Sequence, residues 1–329
     1  MITRRKLLIA VGAGALAAPL VSFAQQQPGK VYRVGILHAA SDSSYASQQV
    51  EALRAGLRDL GYVEGKNIVI EYRWAEGKYD RLPELAAELV RLKVDVLVTH
   101  GTPGTRAAKQ TTTTTPIVSA SSGDAVATGL VASLARPGGN ITGSTFFVPE
   151  LMAKRLELLK EAMPRTRRVA ALVNRDDPST VPVFKAMEIT ARSLKIELQK
   201  FEVRGPNEFD SAFSAMAKSR VDGVVVQEDS MLTTNARSIA DLAAKQRISS
   251  AGFPAFAEAG GLIGYGVNTV ELFRRAAYFV DKILKGAKPG DIPVERPTKF
   301  ELVINMKTAK ALGIKLPTAI LLRPDRVIE

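Results

Sequence analysis

Short apolar runs alternate with stretches whose apolar residues recur every three or four positions, and the alternation continues along most of the chain. The runs are YRVGILHA (32–39), NIVIEYRWA (67–75), VDVLVTHG (94–101) and PIVSASS (116–122), then RVAALVN (168–174), ELQKFEV (197–203), DGVVVQED (222–229) and ISSAGFPAF (248–256). Runs of this length between turn residues predict strands. The periodic stretches over 46–60, 81–92, 151–162, 182–194, 207–219 and 235–246 predict helices. Strands alternating with helices imply mostly parallel sheets covered on both faces, so the fold class is α/β.

Two features favour two sheets over one. Arg33-Val-Gly-Ile-Leu37 opens the first half as Arg168-Val-Ala-Ala-Leu172 opens the second, and KVDVLV (93–98) recurs as RVDGVV (220–225) at a similar offset. In LARPGGNITGSTFFVPE (134–150), Pro137, Gly138 and Gly139 break a helix before a short extended run, as a crossover between lobes would. Further crossovers are expected at EAGGLIGYG (258–266) and after AKPGDIPVERP (287–297), around a returning helix in NTVELFRRAAYFVDKILKG (268–286). The expected architecture is two doubly wound, Rossmann-like lobes with a hinged cleft. The N-terminal lobe takes 31–145 and about 264–290; the C-terminal lobe takes 146–263 and about 291–329.

The first residues do not belong to this pattern. Arg4, Arg5 and Lys6 precede an apolar stretch from Leu7 to about Phe23 and a small-x-small pair at Ser22 and Ala24, which reads as an export signal over 1–24, cleaved after about Ala24. TRRKLL suits a twin-arginine or a general secretory signal, and the expected location is periplasmic. The absence of cysteine removes disulfides, a lipid-attachment site and thiol chemistry. Of the formal charge of +12, Arg4, Arg5 and Lys6 belong to this leader. The remaining basic residues are scattered among acids, as in MAKRLELLKEAMPRTRR, and aromatics make up 6%, so no nucleic-acid partner is expected.

In open parallel sheets the ligand crevice lies beyond the carboxyl ends of the strands. Those ends supply His38, Ala39, Ser41 and Asp42; His100, Gly101, Thr102 and Thr105; and Ser121, Ser122 and Asp124. The second half supplies Asn174, Asp176, Gln227, Glu228, Asp229, Ser230 and Phe253, with Tyr265 as a further cover for an apolar group. Hydroxyls, amides and carboxylates dominate. No GxSxG, GxxxxGK[ST] or complete GxGxxG motif occurs, and His38 and His100 have no metal-ligand spacing, so no catalytic residue, metal or cofactor is assigned. In THGTPGT (99–105), Gly101 and Thr102 suit capture of a carboxylate at a helix N-terminus, and equally a plain turn with Thr102 as cap and Pro103 at the first helical position. Glu228 or Asp229 suits an ammonium group, or caps the next helix.

GDAVATGLVASLARPGGNITG (123–143), EYRWAEGKYDRLPELAAELVRLKVDVLVTHGT (71–102) and NMKTAKALGIKLPTAILLRPDRVIE (305–329) resemble the tryptophan-binding-type family of ABC-transporter substrate-binding proteins. The chain departs from the family pattern at Asp124-Ala125-Val126 and Arg323-Pro324-Asp325-Arg326. The resemblance implies a type I periplasmic-binding fold and delivery of a solute to an inner-membrane ABC permease powered by a separate ATPase. The expectation is therefore a monomeric periplasmic receptor, not an enzyme, that traps a small carboxylate-bearing solute, an amino acid in the first instance. Thr102 and nearby backbone would hold the carboxylate, and Asp229 the amino group. The alternatives are an exported α/β hydrolase or isomerase using His38 or His100, and a ligand-sensing module for a membrane sensor.

Overall fold

The computed structural model describes residues 30–40 and 44–329; the leader, Ser41 and Asp42 lie outside the described residues. The chain starts with β1 (Tyr32–His38), α1 (Ser44–Asp59), β2 (Ile68–Trp74), α2 (Leu82–Arg91), β3 (Val96–His100), α3 (Gly101–Thr111), β4 (Ile117–Ser122) and β5 (Ile141–Thr145). These strands make one parallel sheet in the order β2-β1-β3-β4-β5. Side chains alternate across it. Val34, Ile36, Val96 and Val98 face one layer, while Leu37 and Leu97 face the other with Leu85 and Leu89 of α2 and Ala107 and Ala108 of α3.

The chain continues through α4 (Val148–Ala162), β6 (Arg168–Asn174), α5 (Thr180–Ser193), β7 (Glu197–Val203), α6 (Phe209–Lys218), β8 (Gly223–Val226), α7 (Ser230–Thr234), α8 (Ala236–Lys245), β9 (Ser249–Gly252), α9 (Pro254–Glu258) and β10 (Ile263–Gly266). Next come α10 (Thr269–Leu284), β11 (Glu301–Asn305), α11 (Met306–Leu312), α12 (Thr318–Leu321) and β12 (Arg326–Ile328). The second sheet has the order β12-β11-β10-β9-β8-β6-β7, with β11 antiparallel to β10 and the other pairs parallel. Val169, Ala171 and Val173 pack toward α4 and α5, whereas Ala170 and Leu172 pack toward α6 and α8.

The strands exceed the eight expected runs because β5, β10, β11 and β12 fall in stretches read as crossovers or tail. Residues 124–139 form turns and bends instead of a helix that Pro137 breaks, and the extended run after them is β5, an edge strand of the first sheet. β10 lies in the second sheet, so the chain crosses after Gly266, and α10 returns to cover the first. Phe273, Ala276, Ala277, Phe279 and Val280 of α10 are buried with Leu53 and Leu57 of α1. At Gly56 a Cβ would stand 2.8 Å from Ala277 Cβ, so the missing side chain lets the two helices touch. Two covered sheets joined through these crossings place a cleft between their strand ends.

Candidate functional site

That cleft holds a cavity of about 40 Å³ between the strand ends of the two sheets. From the first lobe it is lined by Gln49, His100, Gly101, Thr102, Pro103, Ser121, Ser122 and Gly123, and from the crossover by Phe146 and Val148. Asp177, Ser179, Glu228, Asp229, Ser230, Thr233 and Phe253 of the second lobe, with Thr269 at the start of α10, complete it.

On the first-lobe side, β3 turns into α3 at Gly101, whose φ of +74° lies in the left-handed region. A Cβ there would also stand 2.9 Å from Ser230 Oγ of the other lobe, so glycine serves both the turn and the approach of the second lobe. His100 holds the N-cap position without a side-chain cap bond. Thr102 is not the cap. It lies inside the helix, and its hydroxyl accepts the Gly123 amide at 3.0 Å. Pro103 lacks an N–H, which leaves the amides of Gly101 and Thr102 at the positive end of an eleven-residue helix bordering the cavity.

The histidines form a stack whose ring centroids lie 4.1 Å apart with 8° between planes. His38 is fully buried, and its Nδ1 accepts the Ala40 amide at 3.2 Å. Nε2 therefore carries the hydrogen and donates to Gln49 Oε1 at 3.1 Å, while Gln49 Nε2 donates to Thr269 Oγ1 at 2.8 Å. His100 Nδ1 lies 3.2 Å from Ser230 Oγ across the cleft. Burial, and then the neighbouring His38, holds His100 well below the usual imidazole range, so its ring is neutral. A neutral, stacked pair is a hydrogen-bonding wall. Among the described residues no group of three or more His, Asp or Glu side chains is arranged to hold a metal ion.

The second lobe presents carboxylates. Asp229 caps α7, accepting the amides of Met231 at 2.9 Å and Leu232 at 3.0 Å. It also accepts Asn174 Nδ2 at 3.1 Å and the hydroxyl of Tyr79, which reaches over from the first lobe. Asp177, missed by the sequence reading, sits beside it with Oδ1 on the Ser179 amide at 2.7 Å. Burial, and then the charge of Asp229, pushes Asp177 up to about 7. Burial also raises Asp229, against the bonds from Tyr79, Leu232, Asn174 and Met231. Glu228 is committed elsewhere. Its Oε2 takes Arg155 Nη2 at 2.6 Å, and that fully buried guanidinium also donates through Nε to the Tyr265 carbonyl at 2.7 Å.

The cavity thus gathers His100, Gly101, Thr102, Ser121, Ser122, Glu228, Asp229, Ser230 and Phe253 of the expected residues. His38 and Asn174 stand behind it, holding Gln49 and Asp229. Asp124 and Tyr265 lie outside the lining: Asp124 accepts the amides of Val126 and Ala127, and the Tyr265 ring stacks on Phe300. Asp176 is exposed and pairs with Arg204 at 3.7 Å. Beyond Asp177, the expected set lacked Ser179, Phe146, Val148, Gln49, Thr269 and Tyr79. The adjacent aspartates of NRDDPS were the one local signal for Asp177, and Tyr79 follows a turn with no strand end to mark it.

A model of the family described as ABC transporter substrate binding protein matches residues 33–328. A tyrosine-binding protein of Clostridioides difficile (strain R20291) is 25% identical over 329 residues, covering 96% of this chain and 94% of that protein. Among solved structures, an ABC domain in complex with L-Trp from Streptococcus pneumonia is 25% identical, with a TM-score of 0.84 over 91% of this chain and 100% of the other. A ligand-free, open structure of a substrate binding protein with adhesive properties from Clostridium difficile is 23% identical, with a TM-score of 0.65 over 91% and 99%. In overall shape the chain is nearer the L-Trp complex than this open structure.

Proposed function

The chain belongs to the family of ABC transporter substrate-binding proteins, and from that premise we propose that it captures an amino acid between its lobes and delivers it to a membrane permease. The family binds solutes and is not one of enzymes, so His38 and His100 need no catalytic role. The observation that carries the reading is the pairing of opposite poles in one cavity: the α3 amides of Gly101 and Thr102 beside Ser121 on the first lobe, and the carboxylates of Asp177 and Asp229 on the second. A carboxylate suits the helix end. An ammonium suits the acidic pair. Phe146, Val148 and Phe253 give the side chain an apolar wall, and the tyrosine-binding and L-Trp-bound relatives support an aromatic amino acid.

A ligand that bridges the lobes favours the closed form by its extra contacts there, which is the signal a permease reads. Export to the periplasm is supported by the basic, then apolar N-terminal segment, and we expect a monomer. Thermal-shift screening of the mature protein against the twenty amino acids, benzoate and 3,4-dihydroxybenzoate tests the proposal. Aromatic amino acids should raise Tm. A shift produced by the benzoates and by no amino acid would overturn the amino-acid reading.

A further inference from the structure

The two carboxylates of the acidic pole are not equivalent, and their hydrogen bonds separate their tasks. Asp229 Oδ1 takes Met231 N at 2.9 Å, Leu232 N at 3.0 Å and Asn174 Nδ2 at 3.1 Å, while Oδ2 takes the Tyr79 hydroxyl and Asn174 Nδ2 at 3.2 Å. Its acceptor capacity is filled from within the protein. Asp177 has the Ser179 amide on Oδ1 at 2.7 Å, and it shares the cavity lining with the Asp229 carboxyl, whose charge raises it. Two neighbouring acceptors need a proton or a cation between them.

The protein supplies no such cation. Among the described residues neither Asp177 nor Asp229 has a lysine or arginine partner: Arg155 is bound to Glu228 at 2.6 Å, and Arg204 reaches only the exposed Asp176. The other titratable groups around the cavity are accounted for. Tyr79 is held protonated by burial and by Asp229, His100 is neutral, and Glu228 is paired. Asp177 is the lining carboxylate that has both acceptor capacity to spare and no cation beside it, since the charge of Glu228 is balanced by Arg155.

We infer that Asp177 is the direct acceptor of the ligand's ammonium and exchanges its own proton for it, with Asp229 as a fixed negative charge behind. This assignment rests on the amino-acid reading above. The balance is one for one: the Asp177 carboxyl loses its proton to solvent, and the ammonium, keeping its three hydrogens, takes that position. Below about pH 7, where Asp177 holds its proton in the empty site, binding then releases close to one proton per ligand. The apparent affinity falls toward about tenfold per pH unit.

The test is titration calorimetry of the mature protein with L-tyrosine and L-tryptophan at pH 6 and pH 8, in two buffers of different ionisation enthalpy. Wild type should release close to one proton per ligand at pH 6 and little at pH 8. Asp177→Asn should abolish the release and weaken binding about tenfold or more. Binding with no proton release at pH 6, or undiminished in Asp177→Asn, overturns the assignment and leaves the amino-acid reading standing. If benzoate binds and neither amino acid does at either pH, both fall. Because the proton count is measured on wild type, it does not depend on the variant folding.

Discussion

The phenol of Tyr79, from the segment after β2, donates its hydrogen bond to the Asp229 carboxylate at the end of β8, joining the two lobes across the cleft. The same hydroxyl lies 3.3 Å from the Met231 amide, and Gly77 brings the backbone of this segment against Met231. The bond forms only when the lobes are together.

Tyr79→Phe keeps the packing and removes that bond. A hydrogen bond to a charged group contributes about 1.5–3 kcal/mol, so ligand affinity should fall by about tenfold or more, with Tm of the empty protein nearly unchanged if the empty protein is mostly open. Binding curves from the fluorescence of Trp74, whose ring lies 4.7 Å from His38, check this. An unchanged Kd would show that Tyr79 does not contribute to closure.

Gly101→Ala should separate folding from closing. A side chain at φ +74° costs about 1–2 kcal/mol, which lowers Tm by a few degrees. The added Cβ would meet Ser230 Oγ at 2.9 Å, so that hydroxyl has to turn away from His100 before the lobes close. Small-angle scattering should show the wild type contracting with ligand, and the variant needing more ligand for the same contraction.

Arg155→Ala strips Glu228 of its partner inside the second lobe. Removing one member of a buried ion pair costs about 3–5 kcal/mol, and denaturant unfolding should report a loss of that size. Adding Glu228→Gln should restore part of it, because the uncompensated charge is gone.

His100 makes stability depend on pH in a definite direction. Its folded pKa lies below the unfolded value of about 6.5, so as pH falls through that value the unfolded chain takes up a proton that the folded chain refuses. Stability is lost with falling pH, by up to about 1.4 kcal/mol per unit. Asp177, raised to about 7, acts oppositely: its contribution favours the folded state at low pH and is lost as pH rises from the unfolded carboxylate value toward 7. The stability of wild type relative to His100→Gln, measured by unfolding from pH 5 to 8, isolates the histidine and should fall toward low pH.

The fold was legible because the apolar runs and helix periods set up each layer, and the repeated RVGIL and RVAAL openings marked two sheets. β10, β11 and β12 escaped because Gly264 and Gly266 weaken one run, and the others lie among proline, glycine and charge. Strand ends placed Gly101, Ser121 and Asp229 in the cavity because backbone topology alone carries them there. Which of two adjacent aspartates turns inward depends on the local turn after β6, and only Asp177 finds the Ser179 amide. Tyr79 and the crossover residues Phe146 and Val148 reach the cleft through tertiary packing, which no local pattern encodes.

The most direct measurement compares three molecules sharing one ring, L-tyrosine, tyramine and 3-(4-hydroxyphenyl)propanoate, by calorimetry on the mature protein at pH 8. If the α3 amides hold a carboxylate and the acidic pair holds an ammonium, L-tyrosine should bind about tenfold to a hundredfold more tightly than either single-ended analogue, each lost charged contact accounting for about 1.5–3 kcal/mol. Equal affinity for L-tyrosine and for the amine-free acid would contradict the account.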